Sequence, residues 1–456
     1  MTGPGCTCDN CQHQWHPKEL REIQLPLKSV KKCSTCGKIG EKLSICASCG
    51  EQVYCDAQCQ KKDWPSHKTA CGKTDRIDLV SFYPLLAVLM EAHRYHPQRP
   101  VHPALTHQIL NSPNPNARNV CEFPDGSKAT LVLLGDEMTM EYAVQHPREW
   151  WPTAMSDAVS RKLARRFGAE FYLIPSIVAT LVALAVEVYT TTYIPANDSY
   201  DGQMKRRVRL KYHNSPIADF GIVKGRADVT SQDRFAYFSV PDLEFRKGMD
   251  ADEHYWIYFR TAAGEDFILD CGMFCYNFCM MVDTKPHIKH GLPPLHAAPA
   301  FFVDRQYKQA APKLQHEKER FSVLHEEAFI EGDTFRFTRR YFSDSDAEAI
   351  YTFMEKVAGR PASDVEKDLV MKWVVDSSEV IMRNVITREY LNFPAEPGIG
   401  IQGDPGEVDD SMAKAEDDAW FKYMKKWNRK QRKGEISNEE LGEAFRRWQK
   451  KHGKKA

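Results

Sequence analysis

The spacing of hydrophobic positions changes several times along this chain, and each change marks an element. Residues 79–93 (LVSFYPLLAVLMEAH) carry apolar side chains at helical spacing in their second half, with Pro84 expected in the first turn. Residues 128–134 (KATLVLL), closed by Gly135, read as a buried strand followed by a turn. Residues 156–167 form an amphipathic, basic helix, with Asp157 near its positive end. The longest apolar run follows at 171–186, interrupted by Pro175, Ser176 and Thr180 and closed by Glu187. A membrane span needs about 20 apolar residues, so this run reads as a core helix over 171–189 and no membrane partner is expected.

From Arg206 to Asp270 the helical spacing gives way to strand-like runs. Residues 207–212 alternate polar and apolar, and 234–240 (RFAYFSV) and 254–259 (HYWIYF) are aromatic and strand-like. Gly264-Glu265-Asp266 is turn chemistry and 267–269 resumes a strand, so 254–270 is expected to be a hairpin. Residues 343–388 return to helices, one opened by Asp344 and Asp346 and another by Ala362-Ser363-Asp364. Strands and helices alternating in this way predict an α+β domain over 75–392.

Residues 393–412 (FPAEPGIGIQGDPGEVDDSM) read as a linker from their Pro, Gly and acidic content. They contain Gly398-x-Gly400-x-x-Gly403, without the preceding strand and following helix that nucleotide binding requires. In residues 413–456, Trp420, Met424 and Trp427 share one helical face and Leu441, Phe445 and Trp448 another, with Gly434 between and a capping box opened by Ser437 and Glu440. This predicts a helical hairpin. Its two basic clusters run from Lys422 to Lys433 and from Arg446 to Lys455. They fit a nuclear-import signal or a nucleic-acid contact, or the solvated face of a docked helix.

Composition narrows the setting. Lys plus Arg and Asp plus Glu are both 62, so net charge points to no polyanionic partner, and mean hydropathy is −0.52. Residues 1–15 hold no apolar run, so no secretory signal is expected. Fourteen cysteines, half of them in one short stretch, suit a reducing compartment, nucleus or cytoplasm.

That stretch reads Cys33-x2-Cys36-x9-Cys46-x2-Cys49-x5-Cys55-x3-Cys59-x7-His67-x3-Cys71. The eight residues form four pairs, each spaced to hold one edge of a tetrahedral Zn²⁺, and eight ligands make two ions. A disulfide framework would need an oxidising compartment and leaves His67 without a role. Short linkers favour interleaved use of the pairs: Cys33, Cys36, Cys55 and Cys59 on one ion, Cys46, Cys49, His67 and Cys71 on the other. The segment is too short to bury a core of its own, so metal binding must supply most of its folding energy. With no ligand position open, both zincs are structural. Lysines 38, 42, 61, 62 and 68 can offset the net negative charge of the thiolates.

The spacing, together with Tyr54-Cys55, Cys59-Gln60, Asp63-Trp64 and His67-Lys68, resembles the MYND zinc finger over 33–71. The resemblance implies a cross-braced, two-zinc fold that binds proline-containing segments of partner proteins. It implies contact roles for Gln60, as a hydrogen-bonding side chain, and Trp64, as a flat surface for proline. The small polar residue that the family carries just after its third cysteine is Ala47 here. The expected function is therefore a zinc-binding interaction adaptor rather than an enzyme.

Before the finger, in the leader 1–32, Cys6-x-Cys8-x2-Cys11-x-His13-x2-His16 offers donors for a third metal or a loosely docked segment. His254 on one strand and Asp270 closing the next resemble the His…Asp arm of transglutaminase- and papain-like folds, which would need a thiol nucleophile. Cys271, Cys275 and Cys279 follow at four-residue spacing, expected along one helix face among core residues. MYND fingers also occur in SET-domain lysine methyltransferases, but the Asn-His-Ser-Cys stretch and post-SET cysteines of that family are missing from this sequence. No catalytic constellation is complete.

Overall fold

A computed structural model describes residues 33–40, 43–49, 52–69, 71, 76–113, 120–189, 209–310, 313–326 and 344–402. It also gives short strands at 21–23, 193–195, 204–206 and 335–337 and scattered positions between 423 and 448. The leader cysteines and histidines, residues 403–412 of the expected linker, and most of the basic C-terminal residues lie outside the described set. The chain divides into two compact units, one of residues 1–154 and 163–402, the other of residues 155–162 and 403–456.

The larger unit mixes helix and strand around a seven-stranded sheet. Its order is Phe301–Val303, Asp266–Asp270, His254–Thr261, Ser215–Ala227, Arg209–Tyr212 and Arg76–Asp78, with Gln315–Ser322 also pairing with Ser215–Ala227. All pairs are antiparallel except Arg209–Tyr212 with Arg76–Asp78. The expected hairpin is present, with Ile257 opposite Leu269 and Phe259 opposite Phe267. Strand period two sends Phe220, Ile222, Ile257, Phe259, Phe267 and Leu269 into the main core. Helices Leu79–Arg94, Leu173–Val188, Asp344–Ala358 and Asp364–Ile386 bury their apolar faces in the same core. Among the described residues no single helix is long and apolar enough to cross a membrane.

Helix starts follow local chemistry. Ser363 and Glu366 form a full capping box at the head of Asp364–Ile386. The Asp78 side chain accepts the Val80 N–H at 3.0 Å, which starts Leu79–Arg94 early. Pro84 therefore lies inside the helix and not in its first turn. A second sheet of five strands runs Glu244–Lys247, Phe235–Ser239, Lys128–Glu137 and His107–Ile109, with Val120–Glu122 also on Lys128–Glu137.

Three further expectations need correction. The strand that opens at Lys128 does not turn at Gly135 but runs on to Glu137. Cys271, Cys275 and Cys279 do not share a helix face: a 3-10 turn covers only Met273–Tyr276, and Asn277 at φ 63 ends it. The three are nonetheless buried. Residues 393–402 are not linker. Phe393 is buried against Phe82 and His287, and Ile399–Ile401 pairs with Met280–Asp283, itself paired with Ala297–Pro299. Gly and Pro content signals extended chain, but a backbone partner far away in sequence turns that extended chain into a strand.

Two of the polar groups buried among the described residues bear directly on stability. Glu91, 1 % exposed, accepts from Arg94 at 2.6 Å and from Arg165 at 2.6 and 3.0 Å. Arg94 also reaches the Cys271 carbonyl at 2.5 Å and Arg165 the Ala297 carbonyl at 3.0 Å. Burial pushes the Glu91 carboxyl up, and the two guanidinium groups outweigh it, leaving the carboxyl below its ordinary value.

His93 is the second of these groups. Its ring bonds Ser176 at 2.9 Å and Ser377 at 3.0 Å and stacks on Trp373. Burial holds it down to about 3. The unfolded chain then takes up a proton near pH 6.5 that the folded protein refuses. This contribution to stability is present above pH 6.5 and lost as pH falls towards 3. Between pH 7 and pH 5 the expected loss is about 2 kcal/mol. Urea unfolding at both pH values should show it in the wild type and not in His93→Gln; the same slope in both proteins rules His93 out.

In the smaller unit, described helical positions between 423 and 431 meet described helical positions between 440 and 448 through Tyr423. Tyr423 donates to the Ala444 carbonyl at 3.2 Å, and its ring lies 4.7 Å from that of Trp448. Ser437 and Glu440 exchange capping bonds at 2.8 and 3.2 Å.

Candidate metal centre

The finger is built from two knuckles, a two-residue-per-strand hairpin and one helix. In the first knuckle Cys33 N–H donates to the Lys38 carbonyl and Gly37 N–H to the Cys33 carbonyl, both at 2.9 Å, with Gly37 at φ 72 closing the turn. The hairpin pairs Ser44–Ile45 with Val53–Tyr54, and Cys46 N–H donates to the Gln52 carbonyl at 2.8 Å. The helix Ala57–His67 carries Cys59 at its start and His67 at its end. Asp56 caps it by accepting the Cys59 N–H at 2.8 Å. Sequence reasoning passed over Asp56, although an aspartate three residues before a helical cysteine is a legible cap signal. Pro65 sits in the last turn, where it has no N–H to offer the carbonyl of Lys61, an exposed residue.

These elements bring the eight residues into two clusters: Cys33, Cys36, Cys55 and Cys59, and Cys46, Cys49, His67 and Cys71. Within each, the donor atoms lie within 4.8 Å of one another. Sulfur separations are 3.4 Å for Cys55–Cys59, 3.7 Å for Cys36–Cys55 and 3.8 Å for Cys46–Cys71; Cys49 Sγ is 3.5 Å from His67 Nε2. A tetrahedron with Zn–S bonds of about 2.3 Å has edges of about 3.8 Å. The pairs are thus interleaved, first with third and second with fourth, as a cross-brace that fits two structural zinc ions.

The thiols divide electrostatically. The Cys36 N–H holds Cys33 down to about 6. Burial pushes Cys46 up, but hydrogen bonds from His67 and the Cys49 N–H outweigh it and leave it at about 7. Cys55 is raised by its neighbour Cys59 and by burial. For Cys59, the bond from Cys55 lowers the thiol, but burial and Cys36 and Cys33 lift it to about 11. Thiolates crowded this closely oppose one another's ionisation, and a divalent cation is the counter-charge that lets all of them ionise together.

His67 is buried and its orientation is fixed. Its ring meets Tyr54 and Trp64 edge-on, with centroids 6.3 and 5.9 Å away. Tyr54 is itself buried, and its hydroxyl donates to Asp63 at 2.7 Å. Thr35 donates to the Cys59 carbonyl at 2.9 Å, tying the first knuckle to the helix. Arg76, on the strand leaving the finger, donates to the Cys49 carbonyl.

Gln60 and Trp64 are one helical turn apart and both exposed, Trp64 by 45 %. The indole is therefore half packing surface, against His67, and half open face. Ala47 is also exposed.

The other predicted pair is met as well. His254 Nε2 lies 2.8 Å from Asp270 Oδ2, both side chains fully buried. Asp270 also accepts from Gln315 at 3.1 Å and from the Gly272 N–H at 2.9 Å. Cys275 instead donates to the Gly272 carbonyl at 3.1 Å and Cys279 to Asn277. Burial pushes the Cys271 and Cys275 thiols up. The pair thus pins two strands beneath the surface with its carboxylate already taken up by neighbours.

A family model, the MYND finger, matches residues 33–71, and these residues are a MYND finger. No curated protein and no solved structure matches the chain.

Proposed function

We propose that this protein is an interaction adaptor whose MYND finger captures short proline-containing segments of partner proteins. The observation that carries this reading is the shared exposed face of Gln60 and Trp64, with the indole braced by the His67 ring. Proline-rich chain loses little entropy on docking and lies flat on an aromatic ring, and a neighbouring amide can hold its backbone. In this reading the chain recruits rather than transforms, and residues 76–402 serve as scaffold or second surface. Coordinatively closed zinc clusters support it, since they leave no position at which water is activated.

The test is fluorescence anisotropy with labelled proline-containing peptides. Trp64→Ala should weaken capture by about 30-fold, the range of an aromatic anchor, with two zincs still bound by native mass spectrometry. Undiminished capture by a zinc-loaded Trp64→Ala protein rejects this surface. The basic residues between Lys422 and Lys455 would address such an adaptor to the nucleus. Removing 413–456 should then shift a tagged protein to the cytoplasm, and an unchanged distribution rejects the signal.

A further inference from the structure

The five-stranded sheet ends on a free edge. Glu244–Lys247 pairs with Phe235–Ser239 on one side, and no described strand pairs with it on the other. All four of its residues are exposed. The pairing also fixes which backbone groups face out. Gly248 N–H donates to the Phe235 carbonyl at 3.1 Å. By the alternation of an antiparallel ladder, Glu244 and Arg246 then turn their N–H and C=O groups inward. Phe245 and Lys247 turn theirs to the open side, and such a row is a template for another strand.

Edges that avoid pairing rely on prolines, bulges or free charges. This one has no proline, and its register against Phe235–Ser239 is unbroken. Its lysine is already bound to Asp125. Its other two charges, Glu244 and Arg246, have opposite sign and form an ion pair at 2.7 Å. Between them Phe245 is 45 % exposed, with Phe123 on one side at 5.2 Å between ring centroids. Leu243, just before the strand, is 77 % exposed.

This order of residues is complementary to itself. Glu244 and Arg246 lie two residues apart, on one face of the sheet. A two-fold axis normal to the sheet at Phe245 sets Glu244 opposite Arg246 of the second copy, and Arg246 opposite Glu244 of that copy. Phe245 then faces its own counterpart, and its outward N–H and C=O are the groups that a pair on the axis exchanges. Aromatic and opposite-charge pairs are the cross-strand pairs that stabilise a sheet. The edge thus supplies every group that its own partner strand needs.

We propose that two copies of this chain join antiparallel through Glu244–Lys247, making one continuous sheet out of two five-stranded ones. Two Glu244–Arg246 contacts between copies flank the paired Phe245 rings, and the exposed Leu243 side chains border the joint. A joint this short gives a reversible dimer, with a Kd on the order of 10 µM.

Sedimentation equilibrium of the full, zinc-loaded chain tests this. Wild type should pass from monomer to dimer around that concentration. Glu244→Arg makes the edge basic and Arg246→Glu makes it acidic, so each variant alone faces like charge across the axis. Each should raise Kd by about 10-fold or more. Both positions are exposed, and circular dichroism should match wild type. An equal mixture of the two variants should associate about as well as wild type, because each basic edge then meets an acidic one. Neither variant keeps the ion pair within its own strand, so recovery in the mixture comes only from contacts between copies.

A wild-type chain still monomeric at about 100 µM overturns the proposal and leaves the edge to a strand of another protein. A dimer that both variants leave unchanged places the contact elsewhere and overturns it too. So does a mixture that associates no better than the separate variants.

Discussion

Cys33→Ser is expected to cost the finger its fold and at least one zinc. A structural zinc contributes about 10–16 kcal/mol of apparent binding energy at neutral pH in small fingers, and in a segment without a core that energy is folding energy. Cys33 shares its cluster with Cys36, Cys55 and Cys59. Because the pairs interleave, releasing the first ion also frees the helix start that positions the second cluster's His67. Cys46→Ser should act in the same way from the other side.

The cross-brace adds a sharper test. Cys33 and Cys55 belong to one cluster, so Cys33→Ser, Cys55→Ser and the double variant should lose the same zinc by native mass spectrometry. Sequential pairing would place Cys33 and Cys55 on different ions, and the double variant would then lose more than either single one. Full zinc retention in Cys33→Ser would refute the ligand assignment itself.

The second large effect is expected far from the finger. Glu91→Gln keeps the side chain's volume but leaves Arg94 and Arg165 facing a neutral amide. Glu91 is 1 % exposed, while the two arginine side chains are 12 % and 21 % exposed. Breaking a buried pair from one side costs about 3–5 kcal/mol; the partly exposed arginines put the expectation near about 3 kcal/mol. That is a large share of the roughly 5–15 kcal/mol that keeps a domain folded. The network joins Leu79–Arg94 to Arg165, to the Cys271 carbonyl and to the Ala297 carbonyl, so its loss should act on the whole sheet.

Urea midpoints followed by near-ultraviolet circular dichroism would measure it. Asp368→Asn, which breaks the exposed Lys372–Asp368 pair, serves as the control and should shift stability by less than about 0.5 kcal/mol. A Glu91→Gln midpoint as close to wild type as the control's would show that the arginines find other partners.

The finger was legible because metal ligation is written in local spacing. Two cysteines separated by two or three residues reach one ion whatever surrounds them, so Cys33 through Cys71 declare two zincs from sequence alone. Long periodic segments were legible for a similar reason: the helices at 173–188 and 364–386 and the strands at 128–137 and 254–261 bury a face that their own residue order defines. Linker lengths favoured the interleaved pairing, and the donor-atom distances settle it.

What only the tertiary structure decides is everything that depends on a partner distant in the chain. Residues 393–402 look like linker until Met280–Asp283 supplies a strand for them. Cys271, Cys275 and Cys279 keep a helical spacing, but Asn277 takes a left-handed conformation that ends the turn. His254 and Asp270 could be placed on one hairpin from sequence, whereas their full burial and the Gln315 bond on Asp270 come from strands that arrive later. The burial of Trp256 is invisible in sequence for the same reason: its ring lies against Gly225 on a strand that meets its own only in the folded chain.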